Sequence, residues 1–415
     1  TSKVQSLGEY TDLYVKADCL MLADIFEKFR ATFIKEYKLD PAWCFTLPGY
    51  GLEALLHTTK VQIELLTDIN MVYMFQKGIR GGFAGCTHKF SEARNKYLGH
   101  TLQSGEESKQ IILLDCCNLY GYAMSQFLPK DSFRFMSCEE INRLDILNTS
   151  DDDYYGYLLE VDLKYPKHLH ESHQDLPFCP ESQFPPRSKQ KKLLATLRDK
   201  FNYVIHIRAL RQALSHGLIL TKIHRGIKFH QEAFVRPFVE KTTKLRQQAS
   251  TTFEKNLFKL IVNSNYGKFL EQVQKRSDIE LITNAKRFER VVSDNFFHHA
   301  TIFDETLAAA HRTKKIIKYN RPAFIAQAVL DIAKSHMYYF WYDVLKPLYG
   351  SDIKLCMTDT DSLLFELRNH DFYEDMVKYI DYFDTSDYPK DHPAYSIKNK
   401  KVIGKFTEEY NAEPL

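Results

Sequence analysis

The stretch Lys354–Leu367, KLCMTDTDSLLFEL, sets two apolar arms around a polar centre. Leu355 and Met357 on one side, and Leu363 and Phe365 on the other, alternate with the period of two that marks strands. The polar centre between them is short enough for a tight turn, so the stretch predicts a hairpin with Asp359 and Asp361 at its tip. Asp and Thr are ordinary turn formers, and an isolated Asp-Thr-Asp is first of all a turn. Two carboxylates on a rigid tip become chemistry only if another part of the chain supplies partners for them.

At 415 residues the chain has room for roughly two to four domains, or one elaborate one. Its 44% apolar and 26% charged residues are those of an ordinary globular protein. Apolar runs such as Ile111–Leu114 fall far short of the roughly 20 residues that span a bilayer, so no membrane partner is expected. The start at Thr1 and the end at Pro414-Leu415 in polar sequence read as a fragment, and the N-terminus carries no cellular address. Eight cysteines and sixteen histidines show no CxxC pair and no zinc-type spacing, which argues against a structural metal or a disulfide framework. The net charge is only +3, yet between Arg187 and His230 eleven Lys and Arg stand against Asp199 alone. Interleaved with Phe201, Tyr203 and Phe229, that segment reads either as a polyanion track or as a solvated helix face.

Along the chain, residues 10–37 carry apolar residues at helical spacing from Leu13 to Phe33, the pattern of a long amphipathic helix. The four glycines of GIRGGFAG, 78–85, mark a bend or a close backbone approach. KQIILLD, 109–115, reads as a buried strand ending on Asp115, and 154–163 and 218–230 as further strands. Helices are expected over 189–215, 232–249 and 322–346. Thr251 with Glu254 three residues later is a capping box opening another helix to about 266. Strands and helices in this order give an α+β or mixed α/β fold.

Three features fit one another. Asp115 ends a buried strand, the helix after the capping box presents Lys255, Lys259, Asn263 and Tyr266 on one face, and the hairpin carries Asp359 and Asp361. Strand-end and hairpin carboxylates with a cationic helix face are the parts that metal-assisted phosphoryl transfer requires. Mg²⁺ keeps water and phosphate ligands, so two or three Asp suffice.

The motifs then resemble a known family. DCCNLYGYAM, 115–124, is similar to motif A of family B DNA polymerases, DxxSLYP, with Asn118 for Ser and Gly121 for Pro. KLIVNSNYG, 259–267, matches motif B, KxxxNSxYG, at every fixed position. MTDTDS, 357–362, resembles motif C, YxDTDS, with Met357 for Tyr. Order and spacing agree as well. The nearer resemblance is to the protein-primed, organellar and viral type, including that of Maverick/Polinton transposons. GIRGGFAG is similar to its YxGG motif, with Ile79 for Tyr, and YVKAD, 14–18, resembles the third exonuclease motif.

The resemblance implies an α+β palm, an antiparallel sheet backed by helices, with helical-hairpin fingers and insertions. It divides the chain into an exonuclease remnant (1–37), a linker region with the YxGG-like motif (38–90), palm (91–140 and 313–415), fingers (227–270) and two priming-associated insertions (141–226 and 271–312). It makes Asp115 and Asp361 the catalytic metal ligands with the Cys116 carbonyl, and Asp359 a supporting carboxylate. Tyr120 would exclude a ribose 2′-hydroxyl. Arg246, Lys255, Lys259, Asn263 and Tyr266 would hold the incoming nucleotide, Lys259 serving also in catalysis. Arg80, Gly81, Gly82, Thr360 and Gly267 would face DNA, while Tyr14 and Asp18 belong to an exonuclease whose other acidic motifs this sequence lacks.

The implied cofactor is a pair of Mg²⁺ ions, with Mn²⁺ as substitute. The implied partners are primer-template DNA, deoxynucleoside triphosphates and, at initiation, a terminal protein. A nuclear or a virus- or transposon-associated setting goes with the family, a mitochondrial plasmid being the alternative. The rival reading is a truncated or domesticated remnant that binds DNA or nucleotide without polymerising. A reverse transcriptase would want adjacent aspartates in the hairpin, where Thr360 intervenes.

Overall fold

The computed structural model describes residues 4–99 and 106–413. Two units divide it: residues 1–62 with 234–268, and residues 63–233 with 269–415.

The first unit is helical. The expected long helix is present as Leu7–Tyr37, capped by Ser6, whose side chain accepts from the Glu9 amide. Through Lys28 it is exposed on every side, Leu13, Leu20, Leu22 and Ile25 included. Only its C-terminal turns are buried. There Phe33 and Tyr37 stack in a cluster with Tyr50 of the Leu47–Thr59 helix, Phe238 and Phe258. The two helices Arg236–Gln248 and Thr252–Phe269 complete the unit. Thr251 caps the second as expected, its hydroxyl 3.2 Å from the Glu254 amide. Gly51 lets the 47–59 helix approach closely, since a Cβ there would lie 2.7 Å from the Asn265 side chain.

The second unit is built on antiparallel sheets. One has the order β1-β12-β13-β2-β14, with β1 Ala84–Cys86, β2 Lys109–Cys116, β12 Ile353–Asp359, β13 Ser362–Arg368 and β14 Phe406–Glu408. A second has the order β3-β8-β4-β7, from β3 Leu128–Phe135, β4 Tyr155–Lys164, β7 Lys200–His206 and β8 Ile219–Glu232. β5 Glu181–Gln183 pairs with β6 Lys192–Leu194, and β9 Ser277–Ile282, β10 Phe297–Asp304 and β11 Leu307–Thr313 make a small sheet over the Ala285–Val292 helix.

The hairpin arms are apolar because one face of the five-stranded sheet is buried. Leu355, Leu363, Phe365, Ile112, Leu114 and Phe406 are at most 2% exposed. Full burial of a Leu or Phe contributes about 1.5–3 kcal/mol. Beneath them lie Phe340, stacked on Phe406 with centroids 3.6 Å apart, and Trp341 against Phe365. Both belong to a π-helical stretch, Phe340–Leu345, that continues the Ala323–Tyr339 helix.

One expectation fails. Residues 189–215 are not one helix but β6, the strand β7 and a short helix, Ile207–Ser215. The β-favouring run Phe201–Ile205 pairs with β4 and overrides the helical pattern after it. The basic segment splits in consequence. Lys200, Arg208, Arg211 and Arg225 bond to Glu181, Asp151 and Glu160, whereas Arg187, Lys189, Lys191, Lys192, Arg198 and Lys222 remain exposed. It is not one helix face.

Candidate active site

Register assembles the carboxylates. Ala84, Asp359, Ser362, Asp115 and Thr407 are partners across β1, β12, β13, β2 and β14, one row over five strands. Side chains along a strand alternate between faces. In β2 the positions 110, 112, 114 and 116 are buried, so Asp115 lies on the open face, as do Asp359 and Ser362. Asp359 and Asp115 sit two strands apart, about 9–10 Å along the row, with the Asp361 turn beside them.

That turn is tight. The Asp361 amide donates to the Asp359 carbonyl at 2.6 Å, closing three residues about Thr360 at φ +59°. A β-branched residue in the left-handed region is strained, and such strain persists only where neighbours impose it. Three neighbours do. The Thr360 amide donates to the Phe83 carbonyl at 2.9 Å, the Cys116 amide donates to the Asp361 carbonyl at 2.7 Å, and Gly82 packs on the Thr360 side chain. A Cβ on Gly82 would stand 2.4 Å from both Thr360 Oγ1 and Cγ2, which is why this position in GIRGGFAG is glycine.

The electrostatics agree with the crowding. Burial first, then Cys117, Asp115 and Asp361, push the Cys116 thiol well above its usual range, which disfavours a thiolate there. Burial and the Asp361 carboxylate likewise raise the Tyr120 phenol. Tyr120 is half-buried on the short Leu119–Met124 helix, whose first turn is capped by Asn118 through the Gly121 amide at 3.3 Å.

Among the described residues no group of three His, Cys, Asp or Glu closes a metal site made of protein alone. The donor set here is different: Asp359 and Asp115 in one row on an open face, with the Asp361 turn beside them. That set fits a hard divalent cation that keeps several water or phosphate oxygens.

The remaining candidates divide between the two units. Lys255 and Lys259 are exposed, and Asn263 and Tyr266 half-buried, on one face of the Thr252–Phe269 helix; Phe258, Ile261, Val262 and Asn265 are buried. Gly267 has open space where a Cβ would stand, and Arg246 is half-buried on the preceding helix. Tyr14 and Asp18 lie on the exposed part of the first helix. Arg80 is built into the second unit, its guanidinium 3.7 Å from the Tyr203 ring centre and donating to the Val204 carbonyl at 2.7 Å. Gly81 has no neighbour where a Cβ would stand.

Sequence reasoning placed the segment before β14 in the palm but gave none of its residues a role. The Cys117 amide donates to the Lys405 carbonyl at 2.7 Å and the Gly404 amide to the Cys117 carbonyl at 2.8 Å. Gly404, at φ +79°, lies against Tyr122, so this strand locks the end of β2 from its far side. The one local signal was the glycine before Lys405-Phe406-Thr407.

The sequence profile of DNA polymerase type B, organellar and viral, matches residues 2–347. The hairpin at 353–368 lies beyond that match and is tied to it by its pairing with β2. No curated protein matches in sequence. Among solved structures, Phi29 DNA polymerase complexed with single-stranded DNA is similar at 16% identity and TM-score 0.55, over 97% of this chain and 57% of that one. Phi29 DNA polymerase with primer-template DNA, a post-translocation binary complex, matches at 15% identity and TM-score 0.56, over 99% and 58%. Its ternary complex with incoming nucleotide substrates matches at 16% and 0.51, over 88% and 52%. The chain thus spans little more than half the length of these polymerases, with whose fold its own agrees. With the profile covering most of its length, the chain belongs to the type B DNA polymerases of the organellar and viral kind.

Proposed function

We propose that this chain carries the centre of a template-directed DNA polymerase that joins deoxynucleoside triphosphates to a primer 3′-hydroxyl or, at initiation, to a terminal-protein hydroxyl. The observation that carries the proposal is the row Asp359–Ser362–Asp115 with the Asp361 turn at its end. Carboxylates on an open face are the donors that a hard divalent cation takes alongside phosphate oxygens, and a nucleotide's phosphates bring such a cation.

When bound, two Mg²⁺ ions, or Mn²⁺ in their place, would lower the pKa of the attacking hydroxyl and neutralise charge on the departing pyrophosphate. Asp115, Asp361 and the Cys116 carbonyl would hold them. Asp359 would bear on the primer end, across the row from Asp115. Lys259, assisted by Lys255 and Arg246, would take the triphosphate charge, with Asn263 and Tyr266 against the new base pair. Tyr120 would lie under the sugar, where a 2′-hydroxyl would collide with its ring. Gly81 and Gly82 would let template backbone approach. A mobile element or virus replicating its own DNA is the setting the family suggests.

Primer extension tests this directly. Asp361→Ala should lower extension by about 10²- to 10³-fold with primer-template binding nearly unchanged, since a lost transition-state charge contact costs about 3–4 kcal/mol. Full extension by that variant would end the assignment.

A further inference from the structure

Behind the active-site hairpin lies an ionic cluster that no step above uses. Lys334, on the Ala323–Tyr339 helix, has a side chain only 12% exposed. Its ammonium donates to the Arg80 carbonyl at 2.9 Å and to the Leu330 carbonyl at 2.9 Å, and stands 3.5 Å from Asp331. Asp331 is fixed in turn: it accepts from the His206 amide at 3.0 Å and from Gln327 Nε2 at 2.7 Å. Gln327 also packs where a Cβ on Gly78 would stand, 3.1 Å away. A buried ammonium is costly, and burial pushes this one down to about 8.

The carbonyl it holds is the start of the glycine loop. From Arg80 the chain passes Gly81 to Gly82, which presses on Thr360, and to Phe83, whose carbonyl receives the Thr360 amide. The Arg80 side chain, clamped on Tyr203 and Val204, fixes the same end of the loop. A strained turn keeps its shape only while its supports do.

We propose that Lys334 is a positioning residue for the Asp359–Asp361 turn, acting through the Arg80 carbonyl and the loop 80–83. For its catalytic consequence this rests on the polymerase reading, but the mechanical link stands on its own and has its own readout. In Lys334→Met, amide exchange should rise about tenfold or more in peptides covering 79–85 and 357–361, and change little in 109–114 and 363–368. Extension should fall about 10- to 100-fold in kcat with KM for the nucleotide nearly unchanged, as for a displaced catalytic group. The double variant Asp331→Asn/Lys334→Met leaves no uncompensated charge in the core and should show the same local pattern. Unchanged exchange at both segments, or a rise spread equally over β2 and β13, would overturn the proposal. If the wild-type chain extends no primer while the local exchange pattern appears, the polymerase reading falls and the positioning link stands.

Discussion

The two larger sheets of the second unit place their acidic residues differently. In the four-stranded sheet each carboxylate meets a basic side chain nearby. Glu160 of β4 is bonded to Lys77 and to Arg225 of β8, Asp162 lies 2.9 Å from His224, and Asp131 lies 2.9 Å from His230. Burial alone would raise Glu160, yet the bonds from Lys77 and Arg225 outweigh it and hold the carboxyl below its usual range. In the five-stranded sheet, three aspartates gather at one end of neighbouring strands, on an open face. Charge balanced inside the fold is architecture. The contrast predicts that the same kind of substitution reads out as stability in one sheet and as activity in the other.

Acid gives the largest test on the stability side. His206 ends β7 and is wholly buried, and His173 is buried beside Tyr165; burial lowers each to about 4. Their unfolded values lie near 6.5, so between pH 6.5 and 4 the unfolded chain binds more protons than the folded one. Stability contributed by the neutral rings is therefore complete above pH 6.5 and is lost as pH falls through that window, by on the order of 2 kcal/mol for each ring. Denaturant midpoints across pH 4–7 would show the fall, and His173→Phe should flatten it. A midpoint independent of pH over that range would break the comparison on this side.

Glu160→Gln comes next. It leaves Lys77 and Arg225 facing a neutral group, and because both are about half exposed water recovers part of the loss, so about 2 kcal/mol is expected. Thermal melting should report it, with the extension rate per folded molecule unchanged. Asp361→Ala should show the reverse pattern. Equal effects on both readouts in both variants would erase the distinction between the sheets.

How much of this was legible in the sequence follows from range. The hairpin was readable because apolar alternation and turn chemistry lie within Lys354–Leu367. β2 was readable because IILLD is a short apolar run with an abrupt polar end. The helix Thr252–Phe269 announced itself through Thr251 and Glu254. β14 was not readable: three residues, Phe406–Glu408, are too few for a periodic signal, and their partner lies nearly 300 positions earlier. β7 was misread because the pattern of the Ile207–Ser215 helix was extended backwards over residues whose pairing with β4 is non-local. Motifs named Asp115, Asp359 and Asp361, but nothing in their spacing reveals the common row that sheet register gives them. Lys334 carries no motif at all. Its role emerges only when the Arg80 carbonyl is found above it.

The smallest effect bears on how the open sheet keeps its acids in place. Gly82→Ala puts a Cβ 2.4 Å from two Thr360 atoms and 2.8 Å from a third, so the loop or the turn must yield. Overpacking of this kind costs about 1–3 kcal/mol. Thr360→Gly removes every atom of that clash and places glycine at φ +59°, where it is at ease. The two changes should therefore not add: the double variant should be more stable than the sum predicts by about 1 kcal/mol, well above the scatter of independent sites. Urea midpoints of the four proteins give the coupling. Its sign separates two accounts of the turn. Positive coupling means that Gly82 and Thr360 share one contact, so the glycine loop bears on the turn between the two acids. Strict additivity would mean that β12 and β13 hold the tip alone, and the path from Lys334 to the aspartates would then have no middle link.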